Sequence, residues 1–336
     1  MNSKTVLVTG AVGEMGHQLL PALAEAGYGV VTLDLAVLPT ELTRYCRESA
    51  ETSITETGRV RGLLERHRPD LVFHLAALLS AKAERKPGLA HEVNVGGTVD
   101  LIQLCREQAR ATGRSVRFMF PSSIAVYGMP DAATKKEAGA VREHQWTQPT
   151  GMYGCNKLYC ELLGTYYTTH APHQDNPGID FRAIRFPGLL SAATVPTGGT
   201  SDYGPEMIHA AARNQAYSCF VREDTRLPFM TMPDAVDAFL KLASADQGRL
   251  STRVYNIKAF SPTAGQFRDK VLEYFPKADI RFEPVAARQA IVDSWPANVN
   301  DDKARKDWGL EPQYDFERAM KEYIIPSLQR RDPAEA

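Results

Sequence analysis

The chain has 336 residues, 43% of them hydrophobic, and a formal net charge of −1, with Lys and Arg scattered rather than clustered. That is ample for one large or two modest cores, and it gives no basic stripe for nucleic acid. Apolar stretches such as Leu71–Ser80 are too short to span a bilayer, and Cys46, Cys105, Cys155, Cys160 and Cys219 form no C-x-x-C pair, so neither a disulfide framework nor a structural zinc is expected. Met1–Lys4 leads straight into an apolar run with no room for a targeting segment, so a soluble cytoplasmic protein is the expectation.

Thr5-Val-Leu-Val-Thr9 is dense in β-branched residues and reads as a buried parallel strand. It runs into Gly10-Ala-Val-Gly13-Glu14-Met15-Gly16, then a helical pattern to Ala26, then a strand from Gly29 to Leu33 ending at Asp34. Strand, glycine turn, helix, strand and acid form a dinucleotide-binding unit. The glycines let a pyrophosphate approach the free N–H groups of the helix start. Asp34 lies eighteen residues after Gly16, near the ~20 expected for an acid that grips ribose hydroxyls. Its charge would repel a 2′-phosphate, which favours NAD over NADP. The spacing is G-x-x-G-x-x-G rather than G-x-G-x-x-G.

Residues 39–58 read as irregular, with at most a helix around Leu42–Cys46. A helix is expected over Arg59–Arg68 and a strand over Asp70–Ala77, whose small Ala76 and Ala77 allow a cofactor to come close. His74 has no nearby partner in sequence and reads as a packed strand-end residue. Ser80 follows where open α/β sheets bind ligands, although it reads equally as the start of a loop. Leu89–Arg110 is expected to be one long helix carrying Asn94. The strand Ser115–Phe120 leads into Ser122 and Ser123, either substrate-facing hydroxyls or an ST-turn. Residues 129–149 read as a loop over the site edge.

Tyr153 and Lys157 are four apart, so on a helix they share a face. A neighbouring ammonium favours the phenolate, and such a tyrosine can take a proton from an alcohol near neutral pH. Strand Ile179–Phe186 follows. Thr194–Gly204 is rich in Gly, Pro and hydroxyls and is read as no core element; long loops of this kind are often functional. After it come a helix over Glu206–Asn214, a strand over Tyr217–Val221, a helix over Asp234–Ser244, a strand over Val254–Ile257, a helix over Gly265–Phe275 and a strand over Ala278–Glu283. Two short helices end near Leu328. The fold expected is α/β: a doubly wound parallel sheet over residues 1–186, with 229–258 returning to it, and a smaller substrate lobe from 187–228 and 259–330.

These motifs together, with His74–Ser80, Gly198–Tyr203, Glu223–Pro228, Met232–Ala235, Asp293-Ser-Trp-Pro-Ala-Asn298 and Asp301–Gly309, resemble the extended short-chain dehydrogenase/reductases, and within them the short-chain-type L-threonine 3-dehydrogenases. The likeness runs from residue 4 to about 315. It implies NAD-dependent oxidation of the L-threonine β-hydroxyl, with Tyr153, Lys157 and Ser123 catalytic. It places the cofactor against Gly10, Gly13, Glu14, Met15, Gly16, Asp34, Leu75, Ala76, Ala77, Asn94, Tyr153 and Lys157. Substrate would meet Ser80, Ser122, Ser123, Tyr153, Thr200, Ser201 and Asp202, where a turn-capping role for Asp202 weighs equally. The resemblance also implies a homodimer paired through the long helices, with no nucleic acid or membrane partner. Three departures stand out: relatives usually have Ser-Thr where this chain has Ser122-Ser123, which keeps the hydroxyl; they carry an acid near Ser53-Ile54 that touches the adenine; and His170–Gly178 reads as a surface insertion. A nucleotide-sugar epimerase or dehydratase on the same scaffold is the rival reading; a non-catalytic NAD sensor is the remaining one.

Overall fold

The computed structural model describes residues 4–171, 177–192, 194 and 199–329. Most of the 170–178 insertion, Gly198 and Met1–Ser3 therefore lie outside the described residues. Seven strands form the main sheet: β1 (Thr5–Thr9), β2 (Gly29–Asp34), β3 (Cys46–Glu51), β4 (Leu71–His74), β5 (Val116–Ser123), β6 (Ile179–Phe186) and β7 (Val254–Asn256). They run in the order β7-β6-β5-β4-β1-β2-β3, and every pairing is parallel. The order reverses beside β1, so the crevice at the carboxyl ends of β1 and β4 is where such a sheet takes a ligand.

Parallel strands are covered on both faces, which is why β1 and β4 read as nearly continuous apolar runs; β6 is buried throughout too, with Asp180, Arg182 and Arg185 held in ion pairs. Helix α1 (Glu14–Glu25) packs over one face with the helix Met232–Ser244, through Leu19, Leu20, Leu23, Val236, Phe239 and Leu242. The other face is covered by the helix Thr57–His67 and by α2 (Gly97–Thr112), through Val60, Leu64, Leu101 and Ile102. A third apolar cluster joins the end of β5 to the later segments, with Tyr203, Phe220, Phe229 and Phe267 stacked edge to face. Ala304, Trp308 and Leu310 lie in the stretch expected in the lobe, yet they pack with the α1 face of the sheet.

Four expectations change. Residues 39–58 contain β3, a sheet edge whose outward positions are the polar Arg47, Ser49 and Glu51, two of them charged, alternating with half-buried partners. Charge on an edge strand blocks pairing with another chain, and it also hides the strand from an apolar pattern search. The long helix around Asn94 is interrupted by a π turn over His91–Gly96 before α2. The 129–149 stretch holds a helix, Ala132–Glu137, and a two-residue strand paired to Asn298–Val299. Finally, Tyr203 is wholly buried and begins the helix Tyr203–Ala212, so the glycine-rich loop ends inside the core.

Candidate active site

The cleft at the carboxyl edge of the sheet encloses about 760 Å³. One end is built from backbone. Gly10 has φ +68°, and a Cβ there would come within 2.5 Å of the Ala76 nitrogen, so only glycine lets β1 turn this close to the β4 exit. A Cβ on Gly16 would meet the Ala11 carbonyl oxygen at 2.0 Å, so this glycine seats α1 against the turn. Gly13 is exposed at the start of α1, with only the Gly10 oxygen near a Cβ position. Glu14, Met15 and Gly16 line the cleft beside it. Asp34 accepts from the Val12 N–H at 2.9 Å and the Ala36 N–H at 3.1 Å, tying the end of β2 to the glycine turn.

These residues fit a dinucleotide. An open helix start with free N–H groups suits a pyrophosphate, and Asp34 stands where a ribose would be gripped. The buried Thr52 hydroxyl, which lacks a hydrogen-bond partner among the described residues, lines the same end together with Leu33, Leu35, Ser53 and Ile54. Ser53 is turned toward Thr55, its hydroxyl bonded to that of Thr55 at 2.8 Å.

Leu75, Ala76 and Ala77 form the floor. Beneath them His74 lies between two threonines: the Thr9 hydroxyl donates to Nδ1 at 2.7 Å and Nε2 donates to the Thr98 hydroxyl at 2.9 Å. Thr98 in turn donates to the Asn94 carbonyl, which fixes that tautomer. Burial, and then the Lys157 charge, push the imidazole down to about 3, so His74 is the packed neutral residue the sequence suggested. Asn94 does not line the cleft. Its side chain accepts from the Leu78 N–H at 2.7 Å and donates to the Leu78 carbonyl at 3.0 Å, holding the floor from behind.

Tyr153 and Lys157 project into the middle of the cleft from α3 (Met152–Thr169). The first N–H of α3 donates to Glu84 at 2.6 Å, so the preceding chain satisfies an otherwise orphaned helix end. Lys157 Nζ lies 4.5 Å from the centre of the Phe120 ring and 5.4 Å from that of Tyr153. The expected depression of the phenol is not what the protein alone produces. Desolvation pushes Tyr153 up from its ordinary value, and the same burial pulls Lys157 down to about 8.

Ser123 opens on the cleft from the end of β5, its hydroxyl accepting from the Ala125 N–H at 3.1 Å; it is at once the turn cap and a cleft residue. Ser122 is committed elsewhere. It lines the cleft like Ser123, but its hydroxyl proton goes to Glu161 at 2.5 Å. At the far end, Ser80, Ser201 and Asp202 line the cleft, with Trp295, Leu189 and Met232. Thr200 is buried behind them and donates to the Ser80 hydroxyl at 3.3 Å. Asp202 accepts from the Gly199 N–H at 2.5 Å, so its turn-capping role is realised while it faces the cleft. Sequence reasoning missed Lys82 and Arg85, which line this end; their positions one and two turns past the Leu79 loop carried no motif. It also missed Glu161, which i, i+4 spacing from Lys157 could have flagged.

An alcohol oxygen lying between Tyr153 and Ser123 would meet a proton acceptor and a hydroxyl donor, beside a turn shaped for a dinucleotide. That is the chemistry of the extended short-chain dehydrogenase/reductase class. Residues 6–257 match the NAD dependent epimerase/dehydratase family, and the chain belongs to it. An uncharacterized epimerase/dehydratase of Staphylococcus haemolyticus is 34% identical, the match covering 97% of this chain and 98% of the relative. Among solved structures, an L-threonine dehydrogenase from Clostridium difficile superposes with a TM-score of 0.86 at 30% identity, covering 98% of both chains. The holo form of an L-threonine dehydrogenase from Cupriavidus necator gives 0.83 at 34% identity, covering 96% of this chain and 99% of that one. The protein is thus an enzyme of a family that works with an NAD-type cofactor.

Proposed function

We propose that the enzyme oxidises the β-hydroxyl of L-threonine with NAD, giving 2-amino-3-oxobutanoate and NADH. The observation that carries the reading is one cleft in which Tyr153, Lys157 and Ser123 stand between a dinucleotide turn and a small polar end made by Ser80, Ser201 and Asp202. Solved enzymes similar over nearly the whole chain act on the same amino acid, by their names. NAD, when bound, supplies the hydride acceptor. Tyr153 takes the hydroxyl proton, and Ser123 donates a hydrogen bond to the reacting oxygen, as preorganised donors do for developing charge. Lys157 provides the positive charge that an otherwise desolvated phenol needs to ionise. Asp202 offers the substrate ammonium a counter-charge, and Ser80 with Lys82 offers its carboxylate donors.

A nucleotide-sugar substrate would need cations for a diphosphate; Lys82 and Arg85 line the cleft, whereas the three arginines of the later segments do not. Arg222 is held by Asp293 through two bonds of 2.9 Å, Arg226 donates to the Ser261 carbonyl, and neither these nor Arg213 line the cleft. NADH formation from L-threonine and NAD, measured beside L-serine, L-allo-threonine and NADP, tests the reading, with a sugar nucleotide followed by chromatography because its conversion returns the hydride and accumulates no NADH. Turnover of the sugar nucleotide with silence on L-threonine would move the assignment to the epimerase or dehydratase rival.

A further inference from the structure

Ser122 lines the cleft, but its hydroxyl points into a buried polar network behind the cleft wall. Glu161, two per cent exposed, accepts the Ser122 hydroxyl at 2.5 Å. It also accepts from Arg185 Nε at 2.8 Å and Nη2 at 2.6 Å, a two-pronged ion pair. Arg185 goes on to the Tyr127 hydroxyl at 2.9 Å and the Glu143 carbonyl at 2.6 Å, and Tyr127 donates to Asn256 at 2.7 Å. The network ties β5, α3, β6 and β7 together at the point where β5 delivers Ser123. Glu161 also lies one helical turn beyond Lys157, on the same side of α3.

A structural ion pair could be replaced by apolar side chains at little cost to stability. This one grips the residue before Ser123 and places a carboxylate one turn from the cleft cation. We propose that Glu161 is a positioning residue of the active site: it fixes the Ser122–Ser123 turn and keeps Lys157 in its charged form. The proposal rests on the Tyr153/Lys157 reading of the site but not on the identity of the substrate.

The groups facing Lys157 are few. Tyr153, Cys160 and Glu161 come from its own helix, His74 from β4, and the Phe120 ring from β5. His74 is neutral and Cys160 is held as the thiol, since burial pushes it up to about 11. A Cys160 thiolate would raise the lysine most, but with that group held as the thiol, Glu161 is the anion left to oppose burial of the Lys157 ammonium, partly screened by its own partner Arg185.

The test compares wild type with Glu161→Gln, which keeps an oxygen for Ser122, and with Glu161→Gln/Arg185→Gln, which leaves no lone buried charge. NAD affinity is titrated from pH 6 to 10, a readout that needs no substrate, and kcat/KM for L-threonine is followed over the same range. Removing one negative charge beside Lys157 is expected to move the alkaline limb of both profiles toward acid by about one pH unit, a roughly tenfold loss on that limb. The double variant should regain melting temperature, and because it also removes the Arg185 cation its limb should lie between those of the single variant and wild type. A limb that does not move in the folded Glu161→Gln variant would overturn the proposal. Normal NAD profiles with no turnover of L-threonine would instead sink the substrate reading and leave Glu161 to be judged by the binding limb alone.

Discussion

The two ends of the cleft are built by different means. At the cofactor end the recognition elements are backbone: a glycine turn, an open helix start, and one carboxylate that braces the turn from 22 residues away in sequence. At the substrate end the loops that carry the side chains are held together by partners far along the chain. Ser80 is met by Thr200 across 120 positions, and Arg288 donates to the Gly199 carbonyl across 89. A local device can be written in a short motif, whereas a device assembled from loops exists only once the core that carries those loops has formed. The first end should therefore tolerate change at a distance and fail on single backbone substitutions; the second should be sensitive to its supports.

Replacing Tyr153 by Phe removes the proton acceptor and leaves both ends standing. Turnover should fall by about 10³-fold or more while NAD binding stays near wild type. Retained turnover would break the mechanism.

Beneath the shared floor, His74 gives a pH-dependent term. Its folded-state value of about 3 lies below the ordinary 6.5, so the folded chain binds fewer protons than the unfolded one. The stability it contributes is complete above pH 6.5 and is lost as pH falls toward 3. Chemical denaturation should find the protein about 2 kcal/mol less stable at pH 5 than at pH 7.5 on this account. His74→Gln should flatten that slope, and an equal slope in both proteins would show that other groups carry it.

The smallest effect should come from Asp34→Ala. Two hydrogen bonds from backbone N–H groups to this carboxylate disappear, and NAD should bind about tenfold more weakly, with kcat at saturating NAD little changed. A fall in kcat with unaltered NAD affinity would mean that the ends of the cleft are not separable in this way.

The parallel sheet, its dinucleotide turn and the Tyr153/Lys157 pair were readable from residue order, because each depends on contacts within a strand–turn–helix unit or one helical turn. The edge strand β3 escaped for the opposite reason: its charged outward positions suit water, and only pairing with β2 makes it a strand. Tyr203 looked like part of a polar loop because its neighbours are glycine and hydroxyl residues, yet rings from Phe220, Phe229 and Phe267 close around it. The roles of the hydroxyls were decided in the same way. Ser122 and Ser123 are adjacent, chemically identical and both on the cleft, but successive strand residues face opposite sides, so the Ser122 hydroxyl donates to Glu161 while that of Ser123 caps the turn at Ala125. Sequence by itself determined which groups could do chemistry; tertiary structure decided which of them are left to do it, since a buried hydroxyl or carboxylate must first satisfy its own hydrogen bonds.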